Sequence, residues 1–182
     1  MKKIATALLL SAAISTPALA EGGYVAIDVG QSTIKDGCAG ATISCSDSGT
    51  AFRVGGGMQI TPNFGVEANY ASLGSAKAST GGYNSEFKPK ALQLSAVVSA
   101  PVADAVSVFA KLGVSRISSD ISATGYSTRS TTKTAASYGI GAQYNFSRQI
   151  GIRAQYEKLG KTNDTVTDYD INMISAGLVF KF

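Results

Sequence analysis

The sequence predicts an all-β fold: an eight-stranded, antiparallel, up-and-down transmembrane β-barrel. Three observations carry that expectation. Apolar residues recur with period two in segment after segment. The connections between those segments alternate short and long. Aromatic residues on the apolar parity gather at both ends of the segments, where two bilayer interfaces would lie.

The first element is not part of the fold. Met1 to Ala20 reads MKKIATALLLSAAISTPALA. Lys2 and Lys3 form a positive start, Ile4 to Ile14 a short apolar stretch, and Ala18-Leu19-Ala20 a small-x-small cleavage site. This is the order of regions in a secretory signal peptide, and the stretch is too short to span a membrane as a helix. Cleavage is expected between Ala20 and Glu21, leaving residues 21–182 as one domain. The formal net charge of +4 falls by two when Lys2 and Lys3 are removed. The remaining cations are dispersed, so there is no footprint for nucleic acid. No later stretch is apolar for long enough to make a transmembrane helix.

Eight segments alternate, at about 23–31, 51–60, 64–73, 89–100, 106–117, 135–146, 150–159 and 171–182. In FGVEANY, Phe64, Val66, Ala68 and Tyr70 share one parity, and Gly65, Glu67 and Asn69 the other. In SYGIGAQYNF, Tyr138, Ile140, Ala142, Tyr144 and Phe146 oppose Ser137, Gly139, Gly141, Gln143 and Asn145. In IGIRAQYE, Ile150, Ile152, Ala154 and Tyr156 oppose Gly151, Arg153, Gln155 and Glu157. Three connections are short: Thr61-Pro62-Asn63, Pro101 to Ala105, and Ser147-Arg148-Gln149. Four are long, at about 32–50, 74–88, 118–134 and 160–170, and are rich in Gly, Ser, Thr, Asn and Asp. In an even-stranded meander this alternation puts the short turns at one end and the long loops at the other, the layout of bacterial outer-membrane barrels.

Content decides which parity faces out. A soluble barrel with its apolar parity inward would expose a Gly/Ser face with few long charged side chains to keep it soluble. In a membrane the apolar parity faces lipid. Phe64, Phe146 and Phe182, with Tyr144 nearby, mark the short-turn girdle. Phe52, Tyr70, Tyr138 and Tyr156 mark the long-loop girdle. Phe109 has inward parity and is expected to fill the interior. The last segment, SAGLVFKF, must close the barrel against the first, because an open edge in lipid leaves backbone groups unpaired.

FGVEANYASLG, VFAKLGVS, YGIGAQYNF and IGIRAQYEKLG resemble strands three, five, six and seven of the OmpA-like eight-stranded transmembrane domain family, which has OmpX-, Ail- and NspA-type barrels as relatives. The resemblance covers nearly all of residues 21–182. It implies a non-enzymatic integral protein of the outer membrane, in contact with lipid and lipopolysaccharide. Ser175, Gly177, Phe180 and Phe182 resemble the C-terminal insertion signal read by the barrel-assembly machinery. The sequence stops on that strand, so no peptidoglycan-binding domain is expected to follow.

Glu67, Lys111, Arg153 and Glu157 have inward parity and are expected to form an interior ion-pair network, the first three at similar depth on the short-turn side. Glu67 and Arg153 stand at positions similar to the family's interior gating pair. Val97 and Gln143 stand where the second charged pair of the family would be. A structural plug and a gated pore both remain open. Catalysis has no foothold: there is no histidine, the acid/base on which outer-membrane barrel hydrolases and acyltransferases rely, and an unactivated serine is a weak nucleophile. No cofactor or metal is expected. Cys38 and Cys45, in CAGATISC, are expected to form a disulfide on the oxidising secretory route; zinc would need further ligands. Lys88, Lys90 and Arg116 have outward parity at the long-loop ends of the fourth and fifth segments, with Lys90 and Arg116 expected nearly opposite one another. They fit either lipopolysaccharide phosphates or ordinary snorkelling. The expected role is structural, in envelope integrity. The alternatives are an adhesin-type binder of a host or matrix ligand through loops 32–50 and 118–134, or a narrow diffusion channel.

Overall fold

In the computed structural model, the described residues are 22–35, 48–74, 76–80, 83–123, 129–163 and 168–182. They form β1 (Gly23–Lys35), β2 (Ser48–Thr61), β3 (Phe64–Ser72), β4 (Ala76–Thr80), β5 (Tyr83–Ala103), β6 (Val106–Ala123), β7 (Arg129–Asn145), β8 (Ile150–Asn163) and β9 (Asp168–Lys181). All neighbours are antiparallel, and β3 also pairs with β5, which closes the sheet into a barrel. β3 and β4 are successive pieces of one stave, so the barrel has eight. The expected closure is present: β1 pairs with β9 from Tyr24–Lys181 to Lys35–Asp170. The Phe182 amide also donates to the Gly23 carbonyl at 2.9 Å.

The break between β3 and β4 has a local cause. The Leu73 amide donates to the Pro89 carbonyl at 3.0 Å, but Pro89 has no N–H to return the bond. The Leu73 carbonyl instead accepts from Ser32 Oγ at 2.5 Å. Gly74 follows with a φ of 79°, conformational space that other residues avoid. The register then shifts by one, from Ser72–Lys90 to Ala76–Phe87.

The alternation places side chains as expected. Ile140 is 66% and Leu112 68% exposed on the outer wall, whereas Arg53 and Glu157 are fully buried inside. Phe64, Tyr144, Phe146 and Phe182 face outward at the short-turn end, and Phe52, Tyr70, Tyr138 and Tyr156 at the other. Phe109 turns inward, with Lys111 Nζ 5.4 Å from its ring centroid. Two expectations are corrected. First, the strands run well into the segments read as long loops. β5 has 21 residues, β6 18 and β7 17, where about 9–11 suffice to cross a membrane. Composition rich in Ser, Thr and Asn suggested loops there, but cross-strand backbone pairing continues up to Ser85–Ala123 and Ile121–Arg129. Second, Lys90 pairs with Ser118, and Arg116 with Leu92. The β5–β6 turn is not centred on residue 103: Ala103 pairs with Val106, leaving Asp104-Ala105 as the turn, with a register shift between Pro101 and Ala103. Lys90 and Arg116 are therefore diagonal neighbours rather than opposite ones.

Leu94 lies between the two girdles on the outer wall, two residues from Leu92, the partner of Tyr70. Leu94→Arg is expected to lower stability by about 2–4 kcal/mol in urea unfolding from lipid vesicles. A loss under about 0.5 kcal/mol would place this wall outside the hydrocarbon.

Candidate functional site: a ring of charges across the barrel

Inward parity on five strands brings six charged side chains together inside the barrel. Asp28 comes from β1, Arg53 from β2, Glu67 from β3, Lys111 from β6, and Arg153 and Glu157 from β8. Each is at most 4% exposed. Arg153 grips Asp28 with two bonds, Nε to Oδ1 at 2.8 Å and Nη2 to Oδ2 at 2.7 Å. Its third nitrogen, Nη1, reaches Glu67 Oε2 at 2.7 Å. Lys111 Nζ binds Glu67 Oε1 at 2.5 Å and lies 3.6 Å from Glu157 Oε1. Arg53 pairs with Glu157 through Nη1, and its Nε returns to Asp28 Oδ2 at 3.0 Å. The circuit is closed: Asp28, Arg153, Glu67, Lys111, Glu157, Arg53 and back to Asp28. Every carboxylate bridges two cations, and the charges cancel.

Neutral polar groups add further bonds to the ring. Tyr24 Oη donates to Glu67 Oε2, and Asn69 Nδ2 to Oε1, both at 2.7 Å. Each Glu67 oxygen thus accepts two bonds, the capacity of a carboxylate oxygen. Arg53 Nη2 donates to Ser175 Oγ at 2.9 Å. Small residues opposite the charges make the space: a Cβ at Gly177 would lie 2.5 Å from Asp28 Oδ1, and one at Gly139 would press on the Glu157 side chain.

The interior differs on the two sides of the ring. Toward the long loops, Leu73, Ile117, Leu159, Ile171 and Met173 form a buried apolar layer with Ala51, Ala71 and Ala91. Toward the short turns, a cavity of about 220 Å³ opens past Val97, Phe109 and Gln143. Val97 and Gln143 sit in the cavity wall, beside Lys111 and Arg153 respectively in the strand register.

Glu67, Lys111, Arg153 and Glu157 all belong to the ring. The sequence reading missed Asp28, Arg53 and Tyr24. The signal for two of them was present: Asp28 sits between Ile27 and Val29, and Arg53 between Phe52 and Val54, the same alternation that marked the others. Ser175 and Gly177 face inward, whereas Phe180 and Phe182 are exposed on the outer wall. Lys90 and Arg116 are exposed on the outer wall. Lys88 pairs with Asp120 along the backbone; its side chain, Cys38 and Cys45 lie outside the described residues. Among the described residues, no group of Cys, Asp and Glu is arranged to hold a metal ion.

Removing one partner from a buried ion pair leaves an uncompensated charge and costs about 3–5 kcal/mol. Glu157→Gln is expected to cost that much in equilibrium unfolding. Adding Lys111→Met restores neutrality, so the double variant should recover part of the loss. Strictly additive losses in the double-mutant cycle would mean the two residues are not coupled.

Residues 5–182 match the family described as outer membrane protein beta-barrel domain. Outer membrane protein A of Klebsiella pneumoniae is 30% identical over 136 residues, covering 70% of this chain and 39% of that protein. Outer membrane protein A of Escherichia coli O157:H7 is 25% identical over 130 residues, covering 70% and 38%. The chain spans about two fifths of the length of these relatives. Among solved structures, Neisserial surface protein A superposes with a TM-score of 0.65 at 21% identity, over 88% of this chain and 97% of that one. OprG from Pseudomonas aeruginosa gives 0.58 at 14% identity, over 88% and 96%. Ail of Yersinia pestis, in complex with the heparin analogue sucrose octasulfate, gives 0.55 at 17% identity, over 88% and 99%. At these identities the structural likeness speaks for the fold alone. With its family match, closed barrel and outward apolar wall, the chain belongs to the outer membrane protein β-barrel family and resides in the bacterial outer membrane.

Proposed function

We propose that this is a non-conducting, non-enzymatic integral protein with a structural role in the envelope, presenting its long hairpins at the cell surface. The observation that carries this reading is the sealed interior. A solute crossing the barrel would meet a ring of mutually paired charges and, on its long-loop side, a buried apolar layer that excludes ions. An eight-stranded barrel is just wide enough to be filled by its own side chains. On this reading the signal peptide is removed after Ala20, Cys38 and Cys45 join, and the assembly machinery reads Ser175, Gly177, Phe180 and Phe182. Lys88, Lys90 and Arg116 meet lipopolysaccharide phosphates at the outer interface. In planar bilayers, the purified protein is expected to remain silent at steady voltage. Steady openings that change with Glu67→Gln or Arg153→Gln would instead identify the ring as a gate.

A second reading, an adhesin-type binder, draws support from the projecting ends of β5, β6 and β7, which exceed any membrane requirement. It also draws on the shared fold of Ail, whose structure holds a heparin analogue. Removing residues 36–47 and 124–128 should then abolish adherence of bacteria to host or matrix material, while the barrel stays folded. Unchanged adherence would sink the binder reading.

A further inference from the structure

The cavity on the short-turn side of the ring has no part in the proposed structural role. Its side-chain charges are unequal. Lys111, Arg148, Arg153 and Lys181 line it against two carboxylates, that of the Glu67 side chain and the terminal one of Phe182. Asp28 and Glu157, which balance the ring as a whole, do not line it. Lys111 and Arg153 at the inner end are held by Glu67 at 2.5 and 2.7 Å. Near the mouth, Lys181 Nζ donates to the neutral Asn145 Oδ1 at 2.8 Å. Among the described residues neither Lys181 nor Arg148 forms an ion pair. Near its mouth the cavity therefore presents two cations against the one terminal carboxylate of Phe182, a net positive charge, above a neutralised inner end.

Part of the wall is apolar. Val97, Phe109 and Val179 contribute to it, alongside the hydroxyls of Ser99 and Ser107 and the amide of Gln143. The volume of about 220 Å³ exceeds the roughly 150 Å³ that accommodates benzene in an apolar protein cavity. Positive charge at the entrance and an apolar wall within define a ligand with two ends. In the outer membrane the short-turn end faces the periplasm.

We propose that this cavity is a periplasm-facing binding site for a small organic anion, a carboxylate on an aromatic or short aliphatic body. The carboxylate is held near Lys181 and Arg148, and the body lies against Phe109, Val97 and Val179. The site stands on the cavity and its charges, independently of whether the barrel conducts.

The test is a titration of the full-length protein, purified from outer membranes into micelles, followed by NMR at constant ionic strength. Benzoate is the probe, and benzylamine and inorganic phosphate are the comparisons. Benzoate should produce saturable shifts at Val97, Lys111 and Val179, with half-saturation near about 1 mM. Benzylamine should produce none, and phosphate should bind at least about tenfold more weakly for want of an apolar body. Combined Lys181→Gln and Arg148→Gln should weaken benzoate about tenfold or more, by removal of charge-assisted bonds. Ser107→Leu should abolish binding by filling the cavity with every charge intact. In both variants the strand amide spectrum reports that the barrel is folded. The proposal is overturned by shifts that do not saturate, by equal binding of benzylamine or phosphate, or by benzoate affinity that survives both folded variants.

Discussion

The alternating ring of Asp28, Arg153, Glu67, Lys111, Glu157 and Arg53 is the constraint around which the interior is arranged. A barrel in lipid must turn its apolar parity outward, so its polar parity is forced into a space shielded from both lipid and bulk water. Charges there are tolerated only when paired and fully hydrogen-bonded. Three carboxylates that each bridge two cations meet that condition with no charge left over. The ring draws its members from β1, β2, β3, β6 and β8, so it is complete only when the first and last strands have met. Gly177 and Gly139 belong to the same solution, since a side chain at either would displace the carboxylate facing it.

The ring divides the interior into unlike halves. On the long-loop side the inward residues are largely aliphatic, with a few small polar ones such as Ser32 and Ser115 among them. On the short-turn side polar, aromatic and a few aliphatic residues leave open volume. The outer half is packed with buried aliphatic side chains, whereas the inner half holds the cavity. The outer wall is uniform by comparison, an apolar belt with an aromatic girdle at each end. Among the described residues, varied polar chemistry lies in the interior, at the strand ends beyond the outer girdle, and at Lys90 and Arg116 on the outer wall.

Those projections show how backbone pairing can outrun side-chain preference. Above the outer girdle, β5, β6 and β7 carry Ser, Thr, Asn and Lys, residues that alone favour turns and loops. They remain in strands because the β5–β6 and β6–β7 registers set inside the barrel continue upward without interruption. Pro89 is the exception that proves informative: by withholding one N–H it ends the pairing of β3, shifts the register, and hands the Leu73 carbonyl to Ser32.

The sequence by itself determined the architecture. Period-two alternation, short-long connections and two aromatic girdles are local signals, and each survives without knowledge of neighbours because a side chain's parity on a strand is fixed by the strand itself. Parity also marked Glu67, Lys111, Arg153 and Glu157 as inward, and carried the same information about Asp28 and Arg53. Only the tertiary structure decided which cation meets which carboxylate, where β5 turns into β6, and how far the strands climb beyond the membrane. These depend on register and on the offset between successive strands around the barrel. The β5–β6 register, centred one residue beyond the middle of the Pro101–Ala105 segment, moved Arg116 from Lys90 to Leu92. No alternation pattern records such a displacement, because a turn centred one position along leaves every side chain on the same face.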